Sequence, residues 1–101
     1  MTVEMSGIYT SSEDIVAREI EGEVIIVPLV AGIGDLEDEL FTLNDSGKAI
    51  WKLLDGKRTL SEVVESLSQE YDATPVEIER DVLGLVNELV RRRMLVEVTN
   101  L

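Results

Sequence analysis

Cysteine and histidine are both absent from this 101-residue chain. Their absence excludes thiol redox chemistry, a Cys/His zinc site, a histidine general base and a Ser-His-Asp triad. No disulfide framework is available, which suits a reducing compartment, so a cytoplasmic location is expected. Aromatic residues are sparse, at 4%. Long apolar runs are lacking too: the longest, Val24 to Ala31 with Pro28 inside it, is far too short to span a membrane. Glu4 and the missing basic start do not fit a secretory signal. Positive charge is scarce, nine Lys or Arg against 21 Asp or Glu, for a net charge of −12. That balance argues against nonspecific affinity for nucleic acid or anionic membrane.

What remains is 45% apolar and can bury one small core, so the chain is expected to be a single domain and not a disordered acidic tail. Residues 1–13 are small, polar and aperiodic, and are expected to form a flexible arm before a domain over 14–98. Three β-rich runs follow. Ile15–Ile20 and Glu23–Val30 are separated by the tight turn Glu21-Gly22, and Asp38–Leu43 comes after a glycine-containing loop at 31–35. They predict an antiparallel three-stranded meander. The second half is helical by period. Asn44 is a helix N-cap, with Asp55-Gly56 as the stop. Thr59 and Glu62 have capping-box spacing, and Thr74-Pro75 opens the longest helix, which runs to about Arg92. Met94–Val98 is expected to be an extended tail on the sheet.

In the third helix, Ile78, Val82, Leu85 and Leu89 form one stripe and are assigned to the core. Val76, Leu83 and Val90 form a second apolar flank beside Glu79, Arg80 and Asn87. This flank either packs on the sheet or tail, or walls a groove whose other wall is the third strand. That strand is the last of the meander and therefore a candidate edge, with unpaired main-chain groups that proteins either blunt or use. Its acidic lead, Glu37-Asp38-Glu39, suits protection against aggregation or attraction of a basic peptide. An added strand would draw affinity from main-chain hydrogen bonds and selectivity from alternating pockets.

Arg91-Arg92-Arg93 complements the dipole at the end of that helix. A DNA-reading role is disfavoured because the same helix carries Glu77, Glu79, Asp81 and Glu88. The acidic cluster Asp35, Glu37, Asp38 and Glu39 lacks EF-hand spacing, and Gly32-Ile33-Gly34 reads as a turn. Phe41, Trp51 and Tyr71 are core or groove-lining aromatics. No nucleophile or acid–base pair stands out, so neither catalysis, nor a metal, nor a cofactor is expected.

The run Phe41 to Thr59 contains the string LN-x-x-G-x-x-I-W-x-L-L-D-G. With Glu70-Tyr71-Asp72, Asp81-Val82-Leu83, Glu88-Leu89 and Met94-Leu95, it resembles the PqqD family of peptide chaperones and leader-peptide recognition domains. The resemblance covers about residues 15–98. It implies an α+β fold in which a three-stranded antiparallel sheet packs on a three-helix bundle, winged helix-turn-helix-like, in the order β-β-β-α-α-α. It further implies that a precursor's leader peptide is bound by strand addition; a monomer or weak dimer is expected. The partner enzyme would be a radical S-adenosylmethionine enzyme or a leader protease. Carried onto this chain, the peptide-binding set is Glu39, Leu40, Phe41, Thr42 and Leu43 on the strand, with Val76, Glu79, Arg80, Leu83, Asn87 and Val90 on the helix. The alternatives are a winged-helix transcription regulator and a docking-only accessory subunit of an enzyme.

Overall fold

The computed structural model describes residues 3–29 and 41–98. Strand β1 covers Ile8–Ser11, β2 Ile15–Ile20 and β3 Glu23–Pro28. Strand β4 covers Phe41–Leu43, β5 Asp55–Thr59 and β6 Leu95–Glu97. The helices are α1 at Asp45–Leu53, α2 at Leu60–Glu70 and α3 at Pro75–Arg91. The expected meander is present as a sheet in the order β2-β3-β4. Its first turn works because Glu21 and Gly22 both take positive φ, 52° and 84°, the twist a two-residue hairpin needs. Residues 38–40 and Val30, also expected in strands, lie outside the described residues.

Each helix starts where the sequence signals it. Asn44 accepts from the Gly47 N–H at 2.8 Å. The Thr59 hydroxyl accepts from the Glu62 N–H at 3.2 Å, while the Glu62 carboxylate accepts from the Thr59 N–H at 2.9 Å. Thr74 caps α3, with Pro75 in its first turn. At the far end of α3, Met94 N–H bonds to Leu89 C=O at 2.9 Å and Arg93 N–H to Val90 C=O at 3.0 Å. Arg93 sits there at φ 63°, a left-handed closing position that glycine usually fills. The closure delivers Met94 and Leu95 into the core, 0% and 2% exposed.

A second sheet, in the order β5-β1-β6, was not expected. Part of the segment assigned to a flexible arm is its central strand. Tyr9 is 3% exposed, and Gly7 C=O and Met5 C=O accept from the Leu60 and Ser61 N–H groups. Four residues are too few to show a period, which is why β1 reads as loop from sequence. Asp55-Gly56 ends α1 as expected but also opens a strand, with Gly56 at φ 79°. The C-terminal segment is extended as expected, but it pairs with β1 and not with the meander.

The core lies between the β2-β3-β4 sheet and the helices. Val24, Ile26 and Leu43 meet Ile50, Leu60, Val63 and Leu67 there, together with the buried α3 stripe. That stripe is Ile78, Val82, Val86 and Leu89. Leu85, assigned to the core from sequence, is only half-buried, and Val86 takes its place. The helix is rotated so that Leu85 falls at the border of the stripe.

Candidate functional site

Strand β4 has β3 on one side and no partner on the other among the described residues. The direction of its main-chain groups follows from the hairpin register. A two-residue turn makes the flanking pair, Ile20 and Glu23, hydrogen-bonded, and bonded pairs then alternate along the ladder. Arg18–Ile25 and Val16–Val27 are therefore bonded pairs, so Ile25 directs its N–H and C=O at β2. Pro28, which lacks an N–H, falls at a non-bonded position opposite Ile15, as this alternation requires. Val24 and Ile26 face β4 and bond to Leu43 and Phe41. Thr42, opposite Ile25, consequently turns its N–H and C=O outward.

Beside this edge runs a groove lined by Phe41, Asn44, Ser46, Gly47, Ile50, Arg80, Asp81, Gly84, Leu85 and Glu88. Side chains of Phe41 and Leu43 share the sheet face that carries Val24 and Ile26, so they look toward the helices, while Thr42 looks away. Ser46, Ile50 and Asp81 also line an apolar cavity that continues between α1 and α3 to Leu67, Tyr71 and Ala73. Gly84 sets the width: nothing lies within 4 Å of where its side chain would begin.

Two groove residues, Phe41 and Glu88, are contacted by arginines at the end of α3. The Arg92 guanidinium lies over Phe41, 4.9 Å from the ring centroid. Its Nε donates to Glu88 Oε1 at 2.7 Å, and Arg91 Nη2 donates to the same oxygen at 2.6 Å. These two hydrogen bonds, Arg91 first, hold the Glu88 carboxyl below its ordinary pKa against a smaller opposing effect of burial. Arg92 Nη1 is buried and has no hydrogen-bond partner.

The residues expected from sequence divide. Phe41, Leu43 and Thr42 stand at the open edge, and Arg80 lines the groove opposite Phe41. Glu39 and Leu40 lie outside the described residues. Val76, Leu83 and Val90, with Glu79 and Asn87, fall on the other side of the buried stripe at 100° per residue. Leu83 and Val90 are half-buried against the core, Val76 is 65% exposed, and Asn87 bonds back to Leu83 C=O. The α3 face at the groove is instead Arg80, Asp81, Gly84, Leu85 and Glu88. Gly84 in mid-helix was the available signal, because a helix retains a glycine at some cost in stability. Among the described residues, no group of three or more Asp or Glu converges on a point that could hold a metal.

Fold and groove together define a small α+β domain of the winged-helix type, with one strand edge unpaired among the described residues beside its third helix. Residues 23–95 match the family model described as coenzyme PQQ synthesis protein D (PqqD), and the chain belongs to that family. Among curated proteins, the bifunctional coenzyme PQQ synthesis protein C/D of Methylorubrum extorquens is 40% identical over 58 residues, covering 57% of this chain and 16% of that protein. The PqqA binding protein of Gluconobacter oxydans is 34% identical over 58 residues, covering 57% of this chain and 60% of that protein. The matched part thus spans under two thirds of those relatives. Among solved structures, TbiB1 in complex with the TbiA(beta) leader peptide superposes with a TM-score of 0.72 at 24% identity, covering 90% of this chain and 99% of that one. A lasso peptide synthetase B1 complexed with a leader peptide gives 0.72 at 20% identity, covering 87% and 96%. At those identities the likeness is one of fold.

Proposed function

We propose that this chain is a non-catalytic peptide chaperone that binds the leader of a ribosomally made precursor beside β4 and presents it to a modifying enzyme. The observation that carries this reading is the outward N–H and C=O of Thr42 next to a groove whose floor is partly apolar. A peptide laid there as an additional strand would satisfy both groups and place alternate side chains against Leu85 and Ile50. The names of the relatives support the reading, since one is a PqqA binding protein and two structures of this fold hold leader peptides. The partner enzyme would be a radical S-adenosylmethionine enzyme or a leader protease, and any metal chemistry would be its own, because this chain has no Cys or His. The working form is a cytoplasmic monomer or weak dimer. No helix among the described residues is long and apolar enough to cross a membrane.

The site assigned to the peptide is Phe41, Thr42 and Leu43 with Arg80, Asp81, Gly84, Leu85 and Glu88. DNA binding is disfavoured on the same ground as before, because α3 would bring Asp81 and Glu88 to the phosphates. The test is direct. Short precursors encoded beside the gene, synthesised and fluorescently labelled, are titrated with the chain while anisotropy is followed. Saturable binding that an unlabelled copy displaces supports the assignment; if no neighbouring precursor binds, it fails.

A further inference from the structure

Thr74 caps α3, and Ile78 stands four residues further on, buried in the core. At a helix start of this kind the residue before the cap often packs a large apolar side chain on the residue four places after it. Here the residue before the cap is Ala73, which makes little of that contact, and a hollow of about 140 Å³ stays open beside Ile78. Ala49 of α1 lines it too, with the buried Leu67 and the ring of Tyr71 from the end of α2. Tyr71 is 52% exposed there, a large aromatic with one side left uncovered. A larger residue at Ala73 would fill the space and steady the helix start, so the chain forgoes stability to keep the hollow open. Departures of that kind are expected where a site is needed. The hollow also continues the groove beside β4, because Ser46, Ile50 and Asp81 line both. It lies toward the Leu43 end, since β4 runs from Phe41 through Leu43 into α1. Along α3 it takes Ile78 and Asp81, about two turns before the groove residue Glu88.

We propose that this hollow seats one large apolar side chain of the bound leader, at a residue beyond the strand-paired segment on the Leu43 side. The inference rests on the strand-addition reading above. A peptide that leaves the β4 edge past Leu43 runs onto Ser46 and Ile50, the residues that groove and hollow share. Size and lining then select the side chain. A dry apolar cavity of about 150 Å³ accepts a benzene ring, so Leu, Ile, Met or Phe fits a space of this volume. Seated there, the side chain would cover the open face of Tyr71 and lie against Leu67 and Ile78. Main-chain bonds at an edge are indifferent to side-chain identity, so the anchor supplies selectivity that Thr42 cannot.

The test is selection from a displayed library of random 16-residue peptides on the full-length chain and, in parallel, on Ala73→Leu and Thr42→Pro. Ala73→Leu fills the hollow and should melt no lower than the unaltered chain. The wild-type pool is expected to enrich a large apolar residue at a fixed distance to one side of the segment that pairs with β4. The Ala73→Leu pool is expected to keep the paired segment and lose that enrichment. Changing the anchor to Ala in the best wild-type binder should weaken it at least about tenfold on the wild-type chain and hardly at all on Ala73→Leu. A photoreactive benzoylphenylalanine at the anchor should cross-link the unaltered chain within residues 67–78, which needs no protein variant. Binders that Thr42→Pro weakens but that cross-link only to β4 or to the groove face of α3, or that bind Ala73→Leu at full strength, overturn this inference and leave strand addition standing. Binders indifferent to Thr42→Pro, or no binders at all, overturn both.

Discussion

Thr42 stands opposite Ile25 with the main-chain groups of the two residues turned away from each other, Ile25 toward β2 and Thr42 toward an edge with no strand partner among the described residues. The third strand is therefore firmly paired through Phe41 and Leu43 while it still offers a donor and an acceptor. Thr42→Pro removes the outward N–H and leaves the bonds to β3 intact, and edge strands are where proline is tolerated. The variant should fold, by circular dichroism and thermal melting, and bind its leader at least about tenfold more weakly. Val76→Asp, on the far flank of α3, should bind as the unaltered chain does. Full-strength binding by a folded Thr42→Pro would show that the edge is not used.

Gly84 makes the groove and the helix pull in opposite directions. Alanine there has open space around its methyl and should stabilise α3 by roughly 0.5–1 kcal/mol, raising the melting temperature by a few degrees. Leucine at the same position would fill the groove between Phe41 and Leu85. Gly84→Leu should therefore melt no lower than the unaltered chain yet lose leader binding in anisotropy titrations. Unchanged affinity would place the peptide elsewhere.

Much of this was legible from the residues and some was not, for definable reasons. The caps at Asn44, Thr59 and Thr74 are local chemistry and fell where their side chains indicated. The β2-β3 hairpin is also local, since Glu21-Gly22 alone decides it. Strand β1 was missed because it exists only through partners more than forty residues away, β5 and β6, which no short-range pattern encodes. The structure brings Phe41 and Arg80 to one groove and sets Val76, Leu83 and Val90 on the other flank of α3. An apolar flank of Val76, Leu83 and Val90 looks like a binding wall in a helical projection; Leu83 and Val90 pack partly against the core, as Phe41 and Leu85 also do. The face that does line the groove looks unpromising in sequence, because it mixes Arg80, Asp81, Gly84 and Glu88.

The Glu88 pairings carry a definite pH signature. Its carboxyl titrates below the ordinary glutamate range because Arg91 and Arg92 favour the charged form. A depressed folded-state pKa gives stability that is complete above the ordinary value and is lost as pH falls through the depressed one. Glu88 is about one third exposed, so solvent screening keeps the effect modest. Glu88→Gln should melt below the unaltered chain near neutral pH, and the gap should narrow as acidification carries the pH below the ordinary glutamate range. A gap that persists or widens in acid would mean that Glu88 contributes through packing and not through its charge.

The amino-terminal strand makes the strongest demand on any shortened version of the chain. Tyr9 is 3% exposed in the core, and Gly7 approaches it so closely that a side chain at Gly7 would come within 2.8 Å of the ring. Ser12 N–H bonds to Met94 C=O, and Val98 N–H to Ile8 C=O, so β1 also ties down the end of α3. Removing residues 1–13 would expose the inner edges of β5 and β6 together and empty the Tyr9 site. Losing a buried aromatic alone costs about 3–5 kcal/mol, a large share of what a domain of this size has in total. A chain beginning at residue 14 should therefore unfold at much lower urea concentration than the full chain, with Tyr9→Ala intermediate. Because strand addition needs the folded domain, the shortened chain should also lose leader affinity in proportion to its unfolded fraction. Equal urea midpoints for the full and shortened chains would mean that β1 is an ornament on a domain that closes without it.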